Sequence, residues 1–419
     1  MDKEIYTINN FMQSIFNSLG SNYSVKFITE SLKGIVYAPQ TNVTKLVEHL
    51  TETYTTSAVL NFYKGRDAIE ACCRVLLPPG SQIITQAFTC YAIEEGIKRA
   101  GMVPVYADIS EEGTNLTAES ISAVFKKNPD AKAVLIQHSL GISADSVAIR
   151  KWCDTHGLLL IEDLAQGIGG VDTNGDILGR NADALIFSYG RDKIVDAISG
   201  GSVVFRVLNP EQAERLADLK SEVEKTPFAF VYEDLVYPDT TSLIRKTHHL
   251  GLGKVVLLAS KALGLLSNPI KSKTRKLTWM HPSFAGLAVL QFRNLEQQLL
   301  HRRKMAEKYF ELLANSKVKP LATALDIQNS SNLRFSVRCD NFAQVEKLVR
   351  VLKKNRIYVS DRWYRSAVDC GNFGYKTAYV DASCPNAELL SQQVLNLPTH
   401  REMTLKKVVK ICKIILENS

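Results

Sequence analysis

Residues 184–201 read ALIFSYGRDKIVDAISGG, and this stretch decides the fold. Residues 184–187 form an apolar run of strand length, and Ser188, Tyr189 and Gly190 turn the chain toward Lys193. Small residues lead to Gly200 and Gly201, and 202–205 is a second apolar strand. A lysine just beyond a buried strand end, ringed by glycine and serine, sits where backbone can approach a ligand closely. Taken alone it reads as a solvated loop lysine. Its upstream neighbours change that weighting.

Upstream, strands and helices alternate. Strands are predicted at 58–63, 82–85, 103–106, 133–136 and 158–161. Helices are predicted at 92–100, 118–126 and 147–156, and another follows Lys64-Gly65-Arg66-Asp67 with Ala68, Cys72, Val75 and Leu76 on one face. This order implies an α/β fold, a mainly parallel sheet with helices on both faces, whose ligands lie beyond the carboxyl ends of the strands. Residues 1–55 read as an N-terminal arm with helices near 8–19 and 44–53. Residues 56–315 read as a large domain with a basic insert at about 240–280, and 282–313 as one long helix. Residues 316–419 read as a smaller C-terminal α+β domain, with strands at 334–337 and 357–359 and helices at 343–353 and 405–416.

The chain has 419 residues, 45% apolar and 22% charged, enough for a large core and a second lobe. No uncharged apolar run reaches the roughly 18 residues that a membrane span needs. The N-terminus carries early acidic residues instead of a secretory apolar core. The eight cysteines lack paired spacing, so a cytoplasmic protein with reduced thiols is expected, and no histidine cluster suggests a metal. The net charge of +8 is local. Residues 240–280 hold eight basic side chains and no acidic one, which accounts for the whole excess. This argues against a nucleic-acid-binding surface spread over the protein.

Three features carry chemistry. Gly65 and Arg66 lie between a strand and a helix N-terminus, where free amides and the helix dipole favour an anion. The strand in LLLIEDLAQGIGG (158–170) delivers Glu162 and Asp163 to its carboxyl end, with Gln166 one turn on. A carboxylate there could be a metal ligand, a general base or the partner of a cationic ring nitrogen, and without His or Cys neighbours a metal is poorly supported. A turn cap is the plainer role for Glu162, less so for Asp163. Together with Lys193, the phosphate-type turn and the aspartate match the needs of pyridoxal 5′-phosphate. That cofactor needs a helix N-terminus for its phosphate, a carboxylate for its ring nitrogen and an amine for its aldehyde.

From about residue 58 to the C-terminus the sequence resembles the DegT/DnrJ/StrS aminotransferases, many of which act on nucleotide-linked keto sugars. The blocks are Gly65-Arg66-Asp67-Ala68, 86–90 (QAFTC), 101–109 (GMVPVYADI), 138–145 (HSLGISAD), 161–167 (IEDLAQG), 187–193 (FSYGRDK), 384–388 (CPNAE) and 394–400 (VLNLPTH), all in family order. The resemblance implies a fold-type I architecture working as a homodimer. It implies that Lys193 is the Schiff-base lysine and proton carrier, that Asp163 pairs with the ring nitrogen and that Gln166 hydrogen-bonds the ring's 3-oxygen. Ser188 and the Gly65–Arg66 amides would hold the phosphate. The family's stacking aromatic falls at Cys90, so Phe88 or Tyr91 would replace it. Arg66 stands where the family has a small hydroxyl residue and would add charge at the phosphate. The family's Asn-containing segment has no clear counterpart at 278–283.

The function implied is amino transfer from an amino acid, glutamate first, to a nucleotide-linked keto sugar for amino-sugar and cell-surface polysaccharide synthesis. Two other functions are compatible with the same fold. A sugar dehydratase on the same fold would carry histidine in place of Lys193, and a non-catalytic ligand-sensing regulator would tend to lose Lys193 or Asp163. For the basic stretch, residues 250–266 (LGLGKVVLLASKALGLL) read as a helical hairpin packed on the protein's own surface, as an element in weak contact with a membrane surface, or, with the cations around it, as a holder of a substrate diphosphate.

Overall fold

The computed structural model describes residues 14–248, 251–262, 266, 276–359, 363–370 and 375–419. Its strands are β1 (Ile15–Phe16), β2 (Ala58–Phe62), β3 (Gln82–Gln86), β4 (Val103–Ala107), β5 (Ala133–Gln137), β6 (Leu159–Asp163), β7 (Ala184–Ser188) and β8 (Gly201–Phe205). The rest are β9 (Glu224–Lys225), β10 (Thr278–Trp279), β11 (Lys319–Pro320), β12 (Arg334–Arg338), β13 (Ile357–Tyr358) and β14 (Val394–Pro398). Nine of them form one sheet in the order β4-β3-β5-β6-β7-β8-β2-β10-β9. From β4 to β7 every pairing is parallel, while β8 runs antiparallel to both β7 and β2. The carboxyl ends of β2, β3, β5, β6 and β7 therefore open on one side of the sheet, as the alternation of elements predicts.

The apolar runs become strands because their side chains find a core on each face. Along β7, Leu185 and Phe187 join a cluster with Leu46, Leu50, Ile149 and Phe284, while Ala184 and Ile186 join another with Ala68, Cys72 and Ile97. Each fully buried side chain of this size contributes about 1.5–3 kcal/mol. A smaller unit is built on the sheet β11-β12-β14, with Tyr309, Phe335, Leu348 and Ile411 in its core.

Three sequence expectations change. Residues 14–24 include β1 and no helix, and the remainder of the helix expected at 8–19 lies outside the described residues. The helices Val25–Val36 and Thr41–Tyr54 are no arm, because Phe27, Leu46, Leu50 and Tyr54 are buried in the core of the large sheet. The long helix breaks into Pro282–Phe292 and Leu295–Leu313. Leu295 and Leu299 pack on the large core and Met305 and Tyr309 belong to the small one, so the two units meet inside that second helix instead of at 315.

Candidate active site

A cavity of about 360 Å³ opens where the strand ends converge. Lys193, Asp163, Gly65, Arg66, Ser188 and Gln166 all line it, so one space gathers residues that are up to 128 positions apart (Gly65 to Lys193). Tyr91 and Cys90 line it too, and so does Trp363 from the C-terminal region.

The Gly65 turn is shaped for close approach. A Cβ on Gly65 would stand 2.8 Å from both Cβ and Oγ of Ser188, and one on Gly201 would stand 2.5 Å from the Gly65 Cα. Only glycine lets the turn, the β7 end and the β8 start meet. The helix Gly65–Leu76 starts there without a side-chain cap, which places its first amides and the positive end of its dipole at the cavity. Arg66 does not add free charge at this end. Its guanidinium is ion-paired with Glu95 and its Nη1 donates to Tyr91 Oη at 3.2 Å.

Lys193 sits in a tightly held loop. Asp196 accepts from the Asp192 and Ile198 amides at 2.9 and 3.0 Å and from Tyr23 Oη at 3.0 Å. Asp192 and Ile198 have φ of 64° and 73°, and this bonding holds them in that left-handed region. Asn22 Nδ2 donates to the Lys193 carbonyl at 3.4 Å, and the Lys193 Nζ lies 5.0 Å from the Trp363 ring centroid. Burial pushes the Lys193 ammonium pKa down, against the pull of Asp163 and Cys90. Burial likewise pushes the Asp163 carboxyl up, while the Ala165 amide, bonded to Oδ1 at 2.9 Å, and the Lys193 charge hold it down.

Asp163 and its neighbour Glu162 serve different ends because strand neighbours face opposite ways. Glu162 is wholly buried, accepts from the Gly179 amide at 2.8 Å and lies 3.4 Å from His138 Nε2. His138 Nδ1 accepts from the Ala144 amide at 3.0 Å, which places the ring proton on Nε2 toward Glu162. Gln166 Oε1 accepts from the Leu140 amide and its Nε2 donates to Tyr364 Oη, both at 2.6 Å.

One expected site residue is corrected. Phe88 does not line the cavity. It is fully buried with Leu140 and Leu390, and its ring meets Tyr364 edge-on at 4.8 Å. The turn after β3 points Phe88 into the seam with the C-terminal region, leaving Tyr91 and Cys90 toward the cavity. Sequence reasoning also missed Trp363 and Asn22, which lie far along the chain from the lysine loop they support, and Asp196, three residues after Lys193.

These features can be set beside known proteins. The model of the DegT/DnrJ/EryC1/StrS aminotransferase family matches residues 22–233 and 276–416. The chain belongs to this family. GDP-perosamine synthase of Vibrio cholerae is 36% identical over 125 residues, 30% of this chain and 33% of that protein. UDP-N-acetyl-3-dehydro-alpha-D-glucosamine 3-aminotransferase of Acidithiobacillus ferrooxidans is 33% identical over 141 residues, 33% of this chain and 37% of that protein. The matches thus span little more than a third of the length of these curated relatives. The structure of NtdA from Bacillus subtilis with bound PMP superposes with a TM-score of 0.71 at 17% identity, covering 97% of this chain and 85% of that one, a likeness of fold. As a family member, this chain has residues that fit pyridoxal 5′-phosphate. The glycine cradle leaves room for a phosphate, a buried carboxylate faces the cavity, and a lysine with a lowered pKa stands in the same space.

Proposed function

We propose that the protein is a pyridoxal-phosphate-dependent aminotransferase that moves the amino group of an amino acid, glutamate, onto a nucleotide-linked keto sugar, in amino-sugar and cell-surface polysaccharide synthesis. The observation that carries this is the single cavity holding Lys193, Asp163 and the Gly65 turn. The cofactor, when bound, supplies an electron sink for a carbanion at the substrate carbon. Asp163 would hold positive charge at the ring-nitrogen end, which relieves its own unfavourable burial. Lys193, its pKa lowered by burial, takes up and returns a proton at Nζ. The Gly65 and Arg66 amides and Ser188 orient the phosphate, and Trp363 shields Nζ from water. The donor leaves as a 2-oxo acid while the ketone carbon gains the amine, so atoms and electrons balance across the two half-reactions. Lys193 argues against the dehydratase reading.

The test is to incubate the holoenzyme with glutamate and a panel of nucleotide-linked keto sugars and follow products by mass spectrometry. An amino sugar with matching 2-oxoglutarate is expected. Sugar loss of water without amine gain would sink the reading. We place the enzyme in the cytoplasm as a homodimer, which light scattering would check against the 46.6 kDa chain mass.

The basic stretch suits a weak contact with an anionic membrane surface. No described helix is long and apolar enough to cross a membrane. In the helix Leu252–Ala262, however, Leu252, Val255 and Leu258 face outward with 58, 64 and 68% of their surface exposed, and Lys254 is exposed among them. Gly253 backs the same helix onto Ile244 and His248. Lys271, Lys273 and Arg275 lie outside the described residues, and Lys276 is ion-paired with Glu224. Co-sedimentation with phosphatidylglycerol vesicles that weakens with salt supports the contact. No co-sedimentation at low salt removes it.

A further inference from the structure

Arg302 lies in the helix Leu295–Leu313, where the two units meet, and only 1% of its surface is exposed. Arginine is rarely buried so fully without a specific reason. Its Nη1 donates to the Leu333 carbonyl and to Thr399 Oγ1, both at 3.1 Å, at the start of β12 and the end of β14. Its Nη2 donates to Asn22 Oδ1 at 3.0 Å. Burial and the neighbouring Arg334 push its pKa down to about 9, while Asp196 and Asp192 pull it up.

Asn22 turns this contact toward the lysine. Its Nδ2 donates to the Lys193 carbonyl and to Asp196 Oδ2, each at 3.4 Å. One amide thus stands between a buried cation and a buried anion, with its oxygen toward the first and its N–H groups toward the second. The guanidinium fixes that orientation, because the reversed amide would set donor against donor. Asp196 is fully buried, and its carboxylate holds the left-handed Asp192 and Ile198 on either side of Lys193. Gln291 Nε2 secures the same turn at the Asp196 carbonyl, at 3.0 Å. Arg191 also feels the Asp196 charge but is ion-paired with Asp234, whereas Arg302 meets Asp196 through Asn22. A buried carboxylate stays ionised only while its charge is compensated, and the ionised form is the stronger acceptor for backbone amides.

We infer that Arg302 is a positioning residue for Lys193, acting through Asn22 on the Asp196 turn. It ties the presentation of the lysine to the seating of β12 and β14 against the large sheet. The role rests on Lys193 being the reacting amine.

The test reads the turn itself. Hydrogen exchange of the full chain, followed by mass spectrometry, reports the Asp192 and Ile198 amides in wild type, Asn22→Ala, Arg302→Met and Arg302→Lys. Asn22→Ala and Arg302→Met should speed exchange at these amides on the order of tenfold, with β6 changed less than about twofold. The same two variants should slow borohydride fixation of pyridoxal 5′-phosphate on Lys193 and lower kcat, each about tenfold, with KM changed less than about threefold. Arg302→Lys keeps the charge and should recover most of both losses. Unchanged exchange at the turn, equal acceleration at the turn and in β6, or an Arg302→Lys protein no better than Arg302→Met overturns the inference. Asn22→Ala carries the test if Arg302→Met fails to fold. Should wild type not be labelled at Lys193, the aminotransferase reading fails separately, and the exchange measurement still decides whether Arg302 holds the turn.

Discussion

Asp163 and Asp234 are both buried carboxylates beside cavity cations, but their surroundings differ. Asp163 stands at the end of β6, with one amide bonded to Oδ1 and a lysine charge felt across the cavity, and burial raises its pKa. Asp234 stands in the stretch outside the family match and is saturated by a tyrosine, a lysine and an arginine. The contrast separates two uses of one functional group. A carboxylate left short of partners is ready to hold incoming positive charge, whereas one given three donors fixes the groups around it.

The strongest way to break this contrast is at Lys193, which shares the cavity with Asp163. Lys193→Ala should lower amino transfer by on the order of 10³-fold or more, as for loss of a positioned acid–base group. In wild type, borohydride should fix pyridoxyl phosphate on Lys193, and a label mapped to Lys64 would reverse the assignment of the two ends of the cavity. Next in size is Asp163→Ala, expected to cost on the order of 10²-fold in kcat with KM changed only a few-fold. Near-normal turnover would mean that another group holds the ring-nitrogen charge and that Asp163 is no more reactive in role than Asp234.

A smaller effect is expected at the phosphate turn. Gly65→Ala places a methyl 2.8 Å from Ser188, a strain of about 1–3 kcal/mol, and should weaken cofactor binding about tenfold in a fluorescence titration while the fold persists. Unchanged affinity would show that the turn has room to shift.

The smallest effect sharpens the comparison by testing a buried carboxylate away from the reacting groups. Burial raises the Glu70 pKa from 4.5 to about 7, more than Arg99 lowers it. The folded state therefore binds this proton more tightly than the unfolded chain, so the group's stabilising contribution is full below about pH 4.5 and is lost as pH rises through about 7. Glu70→Gln should flatten the fall in thermal stability across that window by on the order of 1 kcal/mol. Melting curves with the same pH slope in both proteins would show that the Glu70 charge is fully matched by Arg99 and Arg74.

The sequence made the strand–helix order of 58–205 legible because each buried strand needs its own apolar run and each turn its own glycine or capping residue. The site was legible where it is local, in the Gly65 turn, in Asp163 with Gln166, and in Ser188 with Lys193. Phe88 was misplaced because two aromatics three positions apart after a strand give no sign of which one the turn sends inward. The end of the large unit was misplaced because Leu295–Leu313 is a single helix serving two cores, and its periodicity looks the same on either side of the seam.

By itself, then, the sequence determined the element order and the family, since these are written in short-range patterns. Only the tertiary structure decided which distant residues complete the cavity. Asn22 holds the lysine loop, Trp363 stands over its ammonium, Glu95 neutralises Arg66, and Asp234 binds Lys64 and Arg191. A buried charge needs a partner in space, and nothing in chain spacing says from how far along the chain that partner will come.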